Sequence, residues 1–151
     1  MATDTPQLTD IRLALRRFEL RPVYEVAAEK HRVPGKRGRF DDIGVISGSD
    51  NLAQAIIVRL LTPKGELAGL GHPGYGCRLH EIVGMPNTET KRNLVKLYIL
   101  ESLKMEPRIE KVVKVDVAPD SVMVDRINVY LEVTPKNEKA PISIGPFSLE
   151  I

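Results

Sequence analysis

The apolar residues of this chain change period at residue 107, and that switch limits what the C-terminal half can form. From Glu89 to Met105 they crowd a helical stretch (Leu94, Val95, Leu97, Tyr98, Ile99, Leu100 and Leu103), with Asn87 or Thr88 ahead of it as N-cap. Pro107 ends this helix, because proline lacks an amide hydrogen and disfavours helical geometry in the residue before it. Beyond it, Val113, Val115 and Val117 alternate with Lys114 and Asp116. Ile127, Val129, Leu131 and Val133 then alternate with Asn128, Tyr130, Glu132 and Thr134. Period 2 marks half-buried strands, and two such runs joined through Pro119-Asp120 predict an antiparallel hairpin. A terminal run carries Ile142, Ile144, Phe147, Leu149 and Ile151, broken at Gly145-Pro146.

The N-terminal half is more fragmentary. Ile11, Leu13 and Leu15 alternate with Arg12, Ala14 and Arg16, which predicts a strand, and shorter strands are expected near Val23–Val26 and Ile43–Ile46. Lys30–Arg39 has proline and glycine punctuation and no period, so it reads as an exposed basic loop. Ser47-Gly48-Ser49-Asp50 offers several caps for a helix running to Leu61, which Thr62-Pro63-Lys64-Gly65 stops. Glu66–Tyr75 is irregular, and a short helix is expected over Cys77–Val83.

Strands, then helices, then strands make an α+β domain, with two main helices on a mostly antiparallel sheet. The 151 residues fit one domain, divided into N-terminal strands and basic loop (1–45) and a core (46–151). Both helices carry more apolar surface than one stripe requires. They must pack on each other and the sheet, or leave a face for a partner.

Charge excludes some partners. With 22 basic and 20 acidic residues, nothing in the balance points to nucleic acid or a membrane surface. The single cysteine, Cys77, allows no disulfide within the chain and suits a reducing cytoplasm. No signal-peptide pattern opens the sequence. The longest apolar stretch, Leu52–Leu61, is interrupted by Gln54 and Arg59 and falls short of the roughly 20 residues of a membrane span. The expectation is a protein assembled in the cytoplasm that leaves it only as part of a particle.

Candidate chemistry is incomplete wherever it is sought. Gly69-Leu70-Gly71-His72-Pro73-Gly74 matches a dinucleotide-binding string, but it follows a helix instead of a strand and contains proline. His72, Cys77 and His80 give three metal-ligand types with no second pair, and no third group orients a Cys-His nucleophile. Twenty acidic residues guarantee that some carboxylate pair can be nominated, so nomination carries no information. The basic stretch 30–39 lacks interleaved aromatics for base stacking and suits an acidic protein surface better than nucleic acid. No catalytic residue, cofactor or metal is assigned, and an enzyme is not expected.

Three ordered segments carry a resemblance. They are Asp50–Ala55 through Leu60–Glu66, then Tyr75-Gly76-Cys77-Arg78-Leu79-His80-Glu81, then Glu106-Pro107-Arg108 ahead of the alternating strands. From about Val45 onward the chain resembles the small baseplate wedge and sheath-initiator family of contractile tails. That family serves phage tails, type VI secretion systems and extracellular contractile injection systems.

The resemblance implies a non-enzymatic subunit, six copies per particle, set around the inner tube with larger wedge proteins and the sheath protein as partners. Tube, spike or hub proteins would be further neighbours. It also implies that Glu106, Pro107 and Arg108 dock a helical bundle of larger wedge subunits. An extended chain at Pro107 would turn residues 106 and 108 to one side. The terminal strand, through Ile142, Ile144, Phe147 and Leu149, would form an edge for strand exchange with sheath subunits. The basic loop and the Gly69–Gly74 connector lie outside the shared pattern, and Met105 stands where relatives commonly have an aromatic. Relatives have sometimes carried a lysozyme-like label, so a peptidoglycan hydrolase is the alternative reading.

Overall fold

The computed structural model describes residues 9–15, 24–31, 34–35, 37, 40–136 and 138–151. Near the N-terminus three segments form bent strands: β1 (Thr9–Ile11) with β2 (Leu13–Leu15), β3 (Tyr24–Val26) with β4 (Ala28–His31), and β5 (Phe40–Ile43) with β6 (Val45–Ser47). The bends fall at Arg12, Ala27 and Gly44. β1 pairs with β6, β2 with β3 and β4 with β5, all antiparallel, so each segment changes partner at its bend.

Three backbone hydrogen bonds close a ring at that point. Arg12 N–H donates to Gly44 O (2.8 Å), Gly44 N–H to Ala27 O (2.7 Å), and Ala27 N–H to Arg12 O (2.9 Å). A Cβ on Gly44 would stand 2.9 Å from the Ala27 carbonyl oxygen, so this corner requires glycine. The single strand expected from Ile11 onward is therefore two, since alternation reports a strand's faces but not its partners. The expected basic loop is shorter as well: β4 takes in Lys30 and His31, while Pro34, Gly35 and Arg37 are exposed. Arg32, Val33, Lys36, Gly38 and Arg39 lie outside the described residues, as does Val23 of the expected second strand.

Helix α1 (Gly48–Leu61) follows, with Ser47 as N-cap. It ends where expected: Thr62 turns extended, and both its N–H and its hydroxyl donate to Val58 O (3.0 and 2.8 Å). Gln54 of α1 ties the ring to the core. Its side-chain amide accepts from Leu13 N–H and donates to Ile11 O, each at 2.9 Å, copying a strand partner on the outer edge of β1 and β2. Gln54→Ala should loosen the N-terminal strands alone, because each lost bond is worth about 0.5–1.5 kcal/mol. Amide exchange at Leu13 should quicken by about tenfold while Val129 and Leu131 keep their protection. Unchanged exchange at Leu13 would remove the clamp.

The expected helix at Cys77–Val83 is a single 3-10 turn, Leu79–Glu81. Gly76 and Gly84 bound the segment at positive φ, and so short a run cannot sustain an α-helix alone. Leu79 and Ile82 still reach the core from it. Helix α2 (Glu89–Leu103) starts at Thr88, whose hydroxyl accepts from Lys91 N–H at 3.3 Å. It stops two residues before Met105 and unwinds through 3-10-type bonds (Met105 N–H to Ser102 O, Glu106 N–H to Leu103 O). Pro107 restricts Glu106, and the chain turns inward there.

Strands β7 (Ile109–Pro119), β8 (Arg126–Pro135) and β9 (Ile142–Glu150) form an antiparallel sheet in the order β7-β8-β9. Central β8 turns Ile127, Val129, Leu131 and Val133 fully inward. They meet Leu52, Ile56 and Leu60 of α1 and Val95, Ile99 and Leu103 of α2 in one core, where each such side chain contributes about 1.5–3 kcal/mol. The β7 alternation is corrected in one place. A register shift between Val112 and Lys114 puts Val112 opposite Val133 and leaves Val113 exposed, since a bulge inserts a residue and inverts the faces. The two helices spend most of their apolar surface on this core, with Leu97 of α2 left exposed. No described helix is long and apolar enough to cross a membrane.

Candidate functional site

The three segments that carry the family resemblance are far apart in sequence and meet in space. Arg59 lies in the last turn of α1, among apolar residues, and is 7% exposed. A guanidinium so placed needs an anion, because water cannot solvate it. Glu106, 6% exposed and 47 residues away, supplies one: Arg59 Nη2 donates to its Oε2 at 3.2 Å. Arg108 Nε donates to the other oxygen, Oε1, at 2.7 Å. The Arg59 guanidinium also lies 4.4 Å from the centre of the Tyr75 ring, in cation–π range. Both carboxylate oxygens are therefore engaged, while Arg59 Nε is buried with no hydrogen-bond partner among the described residues.

Burial alone would raise the Glu106 pKa. The hydrogen bond from Arg108 and the charges of Arg108 and Arg59 outweigh it and hold the carboxyl below its ordinary value. The Tyr75 phenol moves up instead, because burial there outweighs the nearby Arg59 charge.

The middle segment fits against the other two through its backbone. Gly76 passes so close over the α1 stop that a Cβ would stand 2.6 Å from Thr62 O. Cys77 N–H donates to Thr62 O at 2.8 Å, and Ser102 of α2 donates its hydroxyl to Gly76 O at 2.9 Å. Arg78 makes paired bonds of 2.8 Å to Glu81 and stacks 4.4 Å from the Tyr98 ring, while Tyr98 Oη donates to the same carboxylate. Lys64 reaches Glu101 at 2.7 Å. Met105 and Pro107 stand exposed beside this frame, and Arg108 keeps 31% of its side chain in solvent.

The expected docking residues thus separate into inner and outer groups. Glu106 and Arg108 do turn to one side, but toward each other, so the Glu106 carboxylate is committed inside the chain. On β9, Ile144 and Leu149 belong to the core, and Ile142 and Phe147 pack partly against it, so these four side chains do not make an outer apolar surface. Among the described residues, no strand pairs with the outer backbone edge of β9, the last strand of the sheet. Arg59 and Tyr75 were not legible as site residues. The one available signal was an arginine inside the apolar run Leu52–Leu61, which demands a counter-ion somewhere.

The remaining candidates scatter. Ala68–Leu70 is a 3-10 turn and Gly69–Gly74 lies exposed on a connector. Cys77 is buried with its thiol toward Tyr98 O (3.4 Å), its pKa raised by burial, while His72 and His80 are exposed. Among the described residues no group of three or more His, Cys, Asp or Glu is placed to hold a metal. An open depression of about 430 Å³ is lined by Glu110, Lys111, Thr134, Lys136, Glu138 and Lys139.

No family model matches the chain, and no curated protein matches it. A solved structure does: a protein of Geobacter sulfurreducens described as a proposed tail lysozyme, 25% identical, with a TM-score of 0.57. The match covers 92% of that protein and 68% of this chain. The chain is therefore similar in fold and sequence to that tail protein, and about a third of it lies outside the match.

Proposed function

We propose that this chain is a structural, non-enzymatic subunit of the baseplate of a contractile tail or injection machine, one that docks larger wedge proteins and starts the sheath. The observation that carries this reading is the convergence of the three family-like segments on one buried Arg59–Glu106–Arg108 clamp. The similarity to a tail protein supports the same class. In this reading Glu106 positions the docking surface and does not form it. It holds Arg108 by Nε and leaves the two terminal nitrogens of the guanidinium, beside Pro107 and Met105, for a partner's carboxylate or carbonyls.

Arg108→Glu should abolish co-purification with a large wedge subunit. Coupling energies across such charge pairs reach about 1.5–7 kcal/mol, and the reversal also leaves two carboxylates side by side. Because that crowding could loosen the clamp, Arg108→Gln serves as the milder partner variant, expected to weaken binding while lowering the melting temperature by only a few degrees, since Arg59 still holds Glu106. Undiminished co-purification of both would remove Arg108 from docking.

For sheath initiation, the reading rests on the outer edge of β9, which no described strand pairs with and where an incoming strand would add by main-chain hydrogen bonds. Ser143→Lys places a charge on that edge strand at an exposed position, the device by which natural edges resist pairing. It should change stability by no more than about 0.5 kcal/mol and block sheath growth. Removing residues 140–151 is a poorer test, since it takes Ile144 and Leu149 out of the core.

The description of the Geobacter protein favours a second reading, a peptidoglycan hydrolase. A glycosidase acid needs a raised pKa, and here Glu81, Glu101, Glu106 and Asp120 are all shifted down by hydrogen-bond donors or cations. Clearing in a cell-wall gel, lost on Glu110→Gln or Glu138→Gln, would establish the hydrolase.

A further inference from the structure

A depression opens where the docking arginine joins the sheet. At the first rung Ile109 lies opposite Pro135, and just outside it Lys136 N–H donates to Arg108 O at 3.0 Å. The depression, of about 430 Å³, is lined on both sides of this rung by Lys111, Lys136 and Lys139 with Glu110, Thr134 and Glu138. At strand spacing the backbones of Lys136 and Lys111 lie about 5 Å and about 10 Å from that of Arg108. An α-helix is about 10–12 Å across, so a helix seated on Arg108 also covers part of the depression.

The charges here are unspent. Other exposed cations are used within the chain: Lys64 on Glu101, Arg78 on Glu81 and Lys114 on Asp116. Lys111, Lys136 and Lys139 are exposed and have no ion-pair partner among the described residues, and neither have Glu110 and Glu138. With Arg108 the cations number four, against these two carboxylates. Glu106 does not cancel Arg108, because it is shared with the buried Arg59. A second copy presenting the same surface would set cations against cations. Nucleic acid would bring phosphates onto Glu110 and Glu138 and find no aromatic in the lining to stack on. Carboxylates spaced along a protein segment can meet the lysines and miss the glutamates, which then fix the register by repelling any other.

We infer that the depression seats an acidic segment of the wedge protein that Arg108 docks, with its carboxylates on Lys111, Lys136 and Lys139. This rests on the docking role proposed above and adds the chemistry of the partner's side.

The test uses the full-length chain in complex with the large wedge subunit, treated with a carbodiimide, which joins an amine directly to a carboxylate as an amide. At least two of the three lysines should link to Asp or Glu within one stretch of the wedge subunit, and exposed Lys30 on β4 should not. Lys111→Glu combined with Lys136→Glu and Lys139→Glu should weaken binding about tenfold or more at low salt, and the gap should narrow as salt rises. A melting curve matching the wild type would show the variant folded, and the corresponding triple Gln variant replaces it if that check fails. Lysine variants that bind like the wild type while Arg108→Gln weakens binding would overturn the inference and leave the docking role standing. Failure of the wild-type chain to bind the wedge subunit would overturn both. Links confined to a second copy, or lysine-dependent binding of duplex DNA in place of the wedge subunit, would also overturn the inference.

Discussion

Glu106→Ala should cost the fold about 3–5 kcal/mol, the penalty for leaving a buried charge without its partner. For a domain of this size that lowers the melting temperature by roughly 10 °C. The orphan is Arg59, whose Nε already lacks a hydrogen-bond partner and whose guanidinium would keep only the Tyr75 ring. Arg108 would also lose its partner, but it is partly in water and suffers less. The pair itself need not stabilise the fold relative to apolar residues. Combining Glu106→Leu with Arg59→Met should therefore recover much of the loss, and a double mutant no more stable than Glu106→Ala would contradict this.

Acid probes the same clamp. The folded Glu106 carboxyl lies below its ordinary value, so its contribution is complete above the unfolded value of about 4.3. It falls as pH drops through that value and is gone below the folded one. Between pH 5 and pH 3 the wild type should lose stability more steeply than Glu106→Gln, and parallel slopes would exclude Glu106 as the acid-sensitive group.

Gly76→Ala is expected to be as damaging, for a reason of backbone and not of charge. Gly76 sits at φ +104°, a conformation that costs other residues about 1–3 kcal/mol. A methyl group there would also stand 2.6 Å from Thr62 O and 2.7 Å from Pro63 O, both backbone atoms that cannot swing aside. The strand of contacts from Thr62 to Cys77 must open, and Tyr75 moves off Arg59 with it. The total should reach about 3–5 kcal/mol. Gly65→Ala is the control, since φ is +88° there but nothing lies within 4 Å of the added carbon. It should cost only about 1–2 kcal/mol. Equal losses at the two glycines, measured by urea denaturation, would refute the close-approach account.

The period switch at Pro107 made α2 and the β7–β8 hairpin legible, because burial on one face writes itself into consecutive residues. Features that depend on distant pairing were not legible. The bulge beside Val113 changes which valine faces the core without changing the composition of the run. The partner exchange at Arg12, Ala27 and Gly44 leaves each segment looking like an ordinary strand. Glu106 and Arg108 could be named from their resemblance to a docking motif. Arg59 and Tyr75, which hold Glu106 inside, lie in other segments, and nothing local in the sequence links them. For the same reason the burial of the Ile144 and Leu149 side chains is not legible: alternation in β9 says that one face is apolar, not whether the domain itself already covers it.

The role we propose for this chain is to start sheath assembly from a tail baseplate. Electron micrographs of particles from a host lacking its gene test this most directly. The account predicts tube and spike assemblies without sheath, restored by the wild-type chain and not by Arg108→Glu. Normal extended sheaths in the deletion strain would contradict it.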